Sequence, residues 1–259
     1  MKSLAEDSSK AVCLLLVTNK LHTSPSGGRE MLCKLNHNVL LDLYGHRLAV
    51  FELQIKPVQG LSATINAFRG YIDGLTVETC ELIVKNILSR GIDKVFVDGS
   101  NFGQLARVLA RSLPNVEIII FFHNVETRFF WGAFKGSKTL HSFSVLVANY
   151  LAERKSVRYA HKIVCLSTRD SLLLSSLYGR SATHVTPIAL QDRLASHGEV
   201  SRDHPDEDFL LFVGGSFYAN RDGITWFVDN VVPRITIKTV AVGKGLEAIR
   251  NNLERRGNV

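Results

Sequence analysis

Short runs rich in β-branched and aromatic residues recur along the chain, separated by segments whose apolar residues return every three or four positions. The runs cover residues 11–18, 39–43, 94–98, 116–122, 162–166 and 184–187. Strand-length runs alternating with helical periodicity predict parallel α/β units. Between two of them, "TVETCELIVKNILSRG" puts Val77, Cys80, Ile83, Val84 and Ile87 on one stripe and ends at Gly91, a helix stop. "NFGQLARVLARSLP" has the same character, with Ser100 or Asn101 as its cap and Pro114 closing it. A helix over 142–160 leads into the strand "KIVCLS", and "TRDSLLLSSLYG" follows with Thr168 as its cap and Gly179 as its stop.

Residues 191–208, "QDRLASHGEVSRDHPDED", carry almost no large apolar side chain, which is linker composition. The expected division is therefore a domain over 1–190, a linker over 191–208 and a second unit over 209–259. In that unit "FLLFVGG" reads as a strand buried on both faces, because its apolar run is continuous. A helix, the strand in "ITIKTVAVGKG" and a polar closing helix complete it, an arrangement like the opening βαβ of a nucleotide-binding domain. Asn220 and Asp222 are expected to cap its helix, and Trp226 and Phe227 to pack its core face.

The 259 residues are 46% apolar and 21% charged, the balance of a globular protein with a substantial core. The longest apolar runs fall far short of the ~18 residues a membrane-crossing helix needs, and "MKSLAEDSSK" lacks the order of a secretory signal. A cytoplasmic protein is the expectation. Cys13, Cys33, Cys80 and Cys165 form no paired spacing, so no metal site is expected and all four read as reduced, buried thiols. The formal charge of +7 points to a phosphate-bearing partner or an anionic membrane surface, yet the cations form no blocks and no nucleic-acid module is present. No nucleic-acid partner is expected.

Four segments carry a resemblance to a known family. "LLFVGGSFYANRDGITWFVDNVVPRI" with "VAVGKG" is the strongest, supported by "SGGRE" after the first strand, "FFHNVETRFF" and "AHKIVCLSTRD". Together they resemble a GT-B glycosyltransferase of the large retaining class called family 4. The implied fold class is α/β, two Rossmann-like domains of GT-B type, the second incomplete. The implied partners are a nucleotide-diphosphate sugar as substrate and a glycan, lipid-linked or small acceptor, as in polysaccharide biosynthesis, with retention at the anomeric carbon. No cofactor or metal is implied, and a peripheral contact with the inner membrane face is compatible.

Gly214 and Gly215 follow a buried strand, where glycine permits close backbone approach to a diphosphate. A tight turn uses such a pair equally well, but the resemblance implies that this loop lies beside the donor phosphates. Gly27 and Gly28 follow the first strand at the sheet's carboxyl edge, where open α/β sheets place ligands. The resemblance implies a loop near donor phosphate and acceptor; a flexible surface turn is the plainer reading. Arg29 beside them meets a phosphate or stays solvated, the commoner fate. His123 closes the strand "VEIIIFF", and the resemblance implies that it is catalytic, near the transferred sugar, where imidazole can hydrogen-bond a hydroxyl. Its alternative is a satisfied structural histidine. Asn124 is expected to help orient the site, Glu126 to charge the first turn of the next helix, and Asp98 and Ser100 to line the cleft. His123, Gly27, Gly28, Gly214 and Gly215 are expected to face one cleft.

The chain departs from the family in two places. "HVTPIAL" lacks the Asn-Gly pair after its Pro, and the family's later Lys or Arg and Glu-x7-Glu segment would lie beyond Val259. The departure implies weak or no transfer by this chain alone, or a partner chain that completes the second domain. Two further functions compete: a non-catalytic binding subunit, favoured by the missing segment, and a sugar-nucleotide epimerase, disfavoured by "HNVE".

Overall fold

The computed structural model describes residues 13–25, 27–54, 60–190 and 208–255. The chain divides into two compact units, Met1–Ala189 and Leu190–Val259.

The first unit is built on a parallel sheet of six strands: β1 (Leu14–Asn19), β2 (Leu48–Leu53), β3 (Lys94–Asp98), β4 (Glu117–Phe122), β5 (Lys162–Cys165) and β6 (His184–Val185). Their order across the sheet is β2-β1-β3-β4-β5-β6. Helices α1 (Gly28–Tyr44), α2 (Leu61–Arg69), α3 (Val77–Arg90), α4 (Gly103–Ser112), α5 (Glu126–Ser137), α6 (Leu140–Tyr159) and α7 (Thr168–Tyr178) connect them. Alternation along β1 shows why both faces are covered. Leu15 and Val17 join the main core with Ile83, Ile87, Leu105 and Leu109, while Leu14 and Leu16 pack with Leu40 of α1 on the other side. Each such leucine contributes roughly 1.5–3 kcal/mol by leaving water.

Most expected elements of this unit appear within a few residues of their predicted bounds. The strand expected at 39–43 does not: it is the last part of α1, which runs to Tyr44 and ends at Gly45 with φ +53. Within it Leu32, Cys33 and Leu40 are buried, a helical spacing, whereas Val39, Leu41 and Leu43 are exposed. The strand of that region is β2, just beyond. Two expected caps also move. Phe102 precedes α4, with no side-chain cap, because Asn101 bonds elsewhere. Ser167, not Thr168, caps α7 by accepting the Asp170 N–H at 3.1 Å. Thr76 caps α3, and Gly91 closes it in the left-handed conformation.

The second unit is a βαβ: β7 (Phe209–Val213), α8 (Tyr218–Asn230) and β8 (Lys238–Val242), paired in parallel, then the short helix α9 (Arg250–Glu254). Ile224, Val228, Val232 and Leu253 form its core, with Phe212, Phe227, Ala241 and Ile249 against it. The expectation that β7 is buried on both faces fails. Phe209, Leu210, Leu211 and Val213 are exposed, because among the described residues the core lies where α8 and α9 pack. Phe227 packs as expected, but Trp226 is exposed. Neither Asn220 nor Asp222 caps α8, which starts two residues before Asn220.

Among the described residues no helix is long and apolar enough to cross a membrane. Cys33, Cys80 and Cys165 are buried, Cys13 is half-buried, and none is in a disulfide.

Candidate functional site

The sheet's strand order reverses between β1 and β3: the chain passes from β1 to β2 on one side, then crosses to β3 on the other. The carboxyl ends on either side of such a reversal flank the crevice where open α/β sheets bind ligands. Thr18 near the end of β1, Asp98 at the end of β3 and His123 just after β4 meet there.

Asp98 is fully buried. Its Oδ2 accepts from Thr18 Oγ1 at 2.9 Å, and its Oδ1 accepts from Asn36 Nδ2 of α1 at 2.8 Å. His123 Nε2 lies 2.7 Å from the same Oδ1. Burial alone would raise the Asp98 pKa, but the hydrogen bond and charge interaction with His123, together with Asn36 and Cys33, hold it below the ordinary value. Asp98 is therefore an acceptor only, which makes His123 Nε2 the donor and, in the neutral ring, leaves Nδ1 with the lone pair.

Among the described residues that Nδ1 has no hydrogen-bond partner, and neither does Oδ1 of Asn124, the next residue, although both atoms are buried. Buried polar atoms are nearly always hydrogen-bonded, so two neighbouring exceptions at the end of β4 mark a place shaped for a polar guest. Phe121 holds the His123 ring edge-on at 5.4 Å. The His123 side chain is only 6% exposed.

Arg29, the second residue of α1, is half-exposed and at the same time held by neighbouring side chains. Its guanidinium pairs with Asp73 at 3.0 Å and reaches Asn101 Oδ1 at 3.5 Å, and Asn19, with its amide turned, accepts from it at 3.0 and 3.1 Å. Asn101 Nδ2 donates to the same Asp73 oxygen. Glu126 opens α5, where its charge was expected. Burial pushes its carboxyl up to about 7, Glu153 and Asp73 add to the shift, and Arg29 opposes it. Glu153 of α6 is buried and accepts the Glu126 N–H at 2.9 Å and the Thr127 N–H at 3.1 Å, as well as the Tyr178 hydroxyl at 2.6 Å.

Ser100, expected in the lining, is buried, and its carbonyl accepts from Ser156 Oγ of α6 at 2.6 Å. Asp98 likewise lies inside the unit and supports His123 from behind. Gly27 precedes α1 in extended conformation and Gly28 is its first residue. A Cβ on either would meet nothing within 4 Å, so these glycines leave open space rather than satisfy a strained backbone.

In the second unit the amides of the Gly loop are partly committed. Gly214 N–H donates to Val242 O and Ser216 N–H to Lys244 O, each at 2.9 Å, so of the two glycines expected beside a diphosphate, Gly214 has its amide taken by the ladder. Gly243 explains the tightness: a Cβ there would lie 2.0 Å from Gly214 O. The Gly215 N–H stays outside that ladder, and Gly215 O accepts from Asn220 Nδ2 at 3.2 Å.

Cys33 Sγ, an Asp98 oxygen and a His123 nitrogen lie within 4.8 Å of one another, close enough to suggest a metal. The geometry favours a hydrogen-bonded cluster: the 2.7 Å between Asp98 and His123 is shorter than the about 3.3 Å separating ligands on a tetrahedral ion.

Reasoning from sequence missed Thr18, Asn36, Asp73 and Glu153. A polar residue closing the apolar run "LLLVTN" was a usable signal for Thr18. The other three sit on helices or loops where nothing local marks them.

No family model and no curated protein matches the chain in sequence. Its fold, however, is that of a solved sucrose-phosphate synthase from Thermosynechococcus elongatus, at a TM-score of 0.62 and 13% identity, over 94% of this chain and 69% of that one. Looser likenesses join it to OtsA in its apo form (TM-score 0.48, 13% identity, 94% and 69%) and to LpCGTa in complex with UDP (0.44, 12%, 93% and 69%). The architecture is α/β, with a Rossmann-like parallel sheet of the GT-B kind.

Proposed function

We propose that the chain is a glycosyltransferase that uses a nucleotide-diphosphate sugar and a glycan, lipid-linked or small hydroxyl-bearing acceptor. The observation that carries this reading is the pair of buried, unpartnered acceptors, His123 Nδ1 and Asn124 Oδ1, at the carboxyl end of β4. Sugar hydroxyls supply the donors both atoms lack. Asp98, by holding Nε2–H, keeps the Nδ1 lone pair available to take a hydroxyl proton or orient the hydroxyl. The Gly215 amide and the start of α8 are the donor-phosphate elements, and Gly27 and Gly28 leave room for a ligand before α1. The shared fold with sucrose-phosphate synthase, named for making a sugar phosphate, agrees with this class.

The test is sugar transfer and donor binding by the full chain with uridine- and guanosine-diphosphate sugars. His123→Ala is expected to lower turnover by about 10²–10⁴-fold, and Asn124→Ala to raise KM with a smaller loss. Absence of nucleotide-sugar binding by the wild-type chain, or unchanged turnover in a folded His123→Ala variant, overturns the reading. The 6% exposure of the His123 side chain favours a second reading, sugar-nucleotide binding without transfer, in which binding survives and no transfer product forms.

A further inference from the structure

Helices α4 and α6 touch along their backbones. A Cβ on Gly103 would lie 1.9 Å from Ala152 O and 2.5 Å from Ser156 N, so only glycine lets them come this close. Beyond that contact the two helices bound a groove of about 390 Å³, lined by Arg107 and Arg111 of α4 and by Leu151, Arg154, Lys155, Arg158 and Tyr159 of α6. The spacing is regular: one turn separates the two arginines of α4, and the α6 residues repeat at three and four positions, one stripe of that helix. The site residues at the carboxyl ends of β1, β3 and β4 take no part in it.

Five of the seven lining residues are cations, and among the described residues none of the five has an ion-pair partner. Lys155 is held by neutral oxygens, Gln104 Oε1 at 2.9 Å and the Arg69 carbonyl. Burial, then the charge of Arg107, lowers its pKa from the ordinary lysine value, so Arg107 and Lys155 repel one another. Cations gathered without counter-charge, with only Leu151 and the Tyr159 ring, 5.7 Å from the Arg158 guanidinium, between them in the lining, are costly to hold together and suited to a multivalent anion, which arginine forks grip bidentately.

We propose that the groove between α4 and α6 binds a multiply charged phosphate group, by Arg107, Arg111, Arg154, Lys155 and Arg158. A free polyphosphate presents several phosphate charges in one molecule, and a phosphatidylglycerol surface presents them as an array of singly charged headgroups. Calorimetric titration of the full chain with tripolyphosphate at about 150 mM salt, where weak surface attraction is screened, addresses the first. Flotation with vesicles of phosphatidylglycerol in phosphatidylcholine, against phosphatidylcholine alone, addresses the second.

Arg107→Gln/Arg154→Gln is expected to weaken the tripolyphosphate interaction, or the vesicle interaction, by at least about ten-fold. Arg111→Gln/Arg158→Gln, at two exposed positions, gives a second loss should the first pair disturb folding, with circular dichroism checking both. Tripolyphosphate binding lost in the variants assigns a free phosphate ligand. Binding only to phosphatidylglycerol vesicles, lost likewise, assigns a headgroup. Binding to neither, binding unchanged in both variants, or binding only to a single-stranded oligonucleotide overturns the proposal.

Discussion

Glu153, two-thirds of the way along α6, accepts the backbone N–H of Glu126 through Oε1 at 2.9 Å, and the next N–H, of Thr127, through Oε2 at 3.1 Å. One helix thus caps another, since Val125 before α5 supplies no side-chain cap. Glu153→Ala should leave the Glu126 and Thr127 N–H groups unsatisfied and the Tyr178 hydroxyl with Thr127 Oγ1 alone, at a cost of about 3 kcal/mol. Denaturant unfolding measures that loss, and amide exchange should show Thr127 losing protection first. Tyr178→Phe should cost only about 1 kcal/mol.

Glu126 carries a pH dependence of definite sign. Its carboxyl is pushed up to about 7 from an ordinary 4.5, so between these values the folded chain binds a proton the unfolded chain has released. Its contribution to stability is present below 4.5, falls as pH rises to 7 and is flat above, by up to about 3 kcal/mol in all. Asp98, held below its ordinary value, has the opposite dependence at lower pH. Urea midpoints from pH 4.5 to 8 should therefore fall more steeply for the wild-type chain than for Glu126→Gln.

Gly103→Ala is expected to destabilise far more than its one methyl suggests. That methyl meets backbone, at 1.9 Å from Ala152 O, so the helices must move apart, for roughly 1–3 kcal/mol at the upper end of overpacking costs. Gly136→Ala, in α5 with nothing within 4 Å of an added Cβ, should be neutral or slightly stabilising. Thermal melts of the pair make the comparison.

Cys33 and Cys80 should resist iodoacetamide at pH 8 while the chain is folded. Burial and nearby carboxylates push both thiols up to about 12, and alkylation needs the thiolate. Both should react in denaturant; rapid labelling of either in the native chain would show that its surroundings open.

What the sequence by itself determined is the periodic part of the fold. Strands β3 and β4, helix α3 with its apolar stripe and Gly91 stop, and the placement of His123 at a strand end were all legible. Each depends on neighbours within a turn or a strand, where side-chain spacing and φ preferences act directly. The segment at 39–43 was misread because a short apolar run fits either period, and only its continuity with Gly28–Tyr44 makes it helix. Burial of β7 was overestimated for a related reason: an apolar run states what a strand could bury, while the elements packed on it decide what it does bury. The tertiary structure alone decided the site's chemistry. Thr18, Asn36 and His123 are up to 105 positions apart, and they meet at Asp98 because the sheet reverses its strand order between β1 and β3. Hydrogen-bond direction, the shifted Glu126 carboxyl and the unpaired arginines of the α4–α6 groove all follow from burial and proximity across elements, quantities no local pattern encodes.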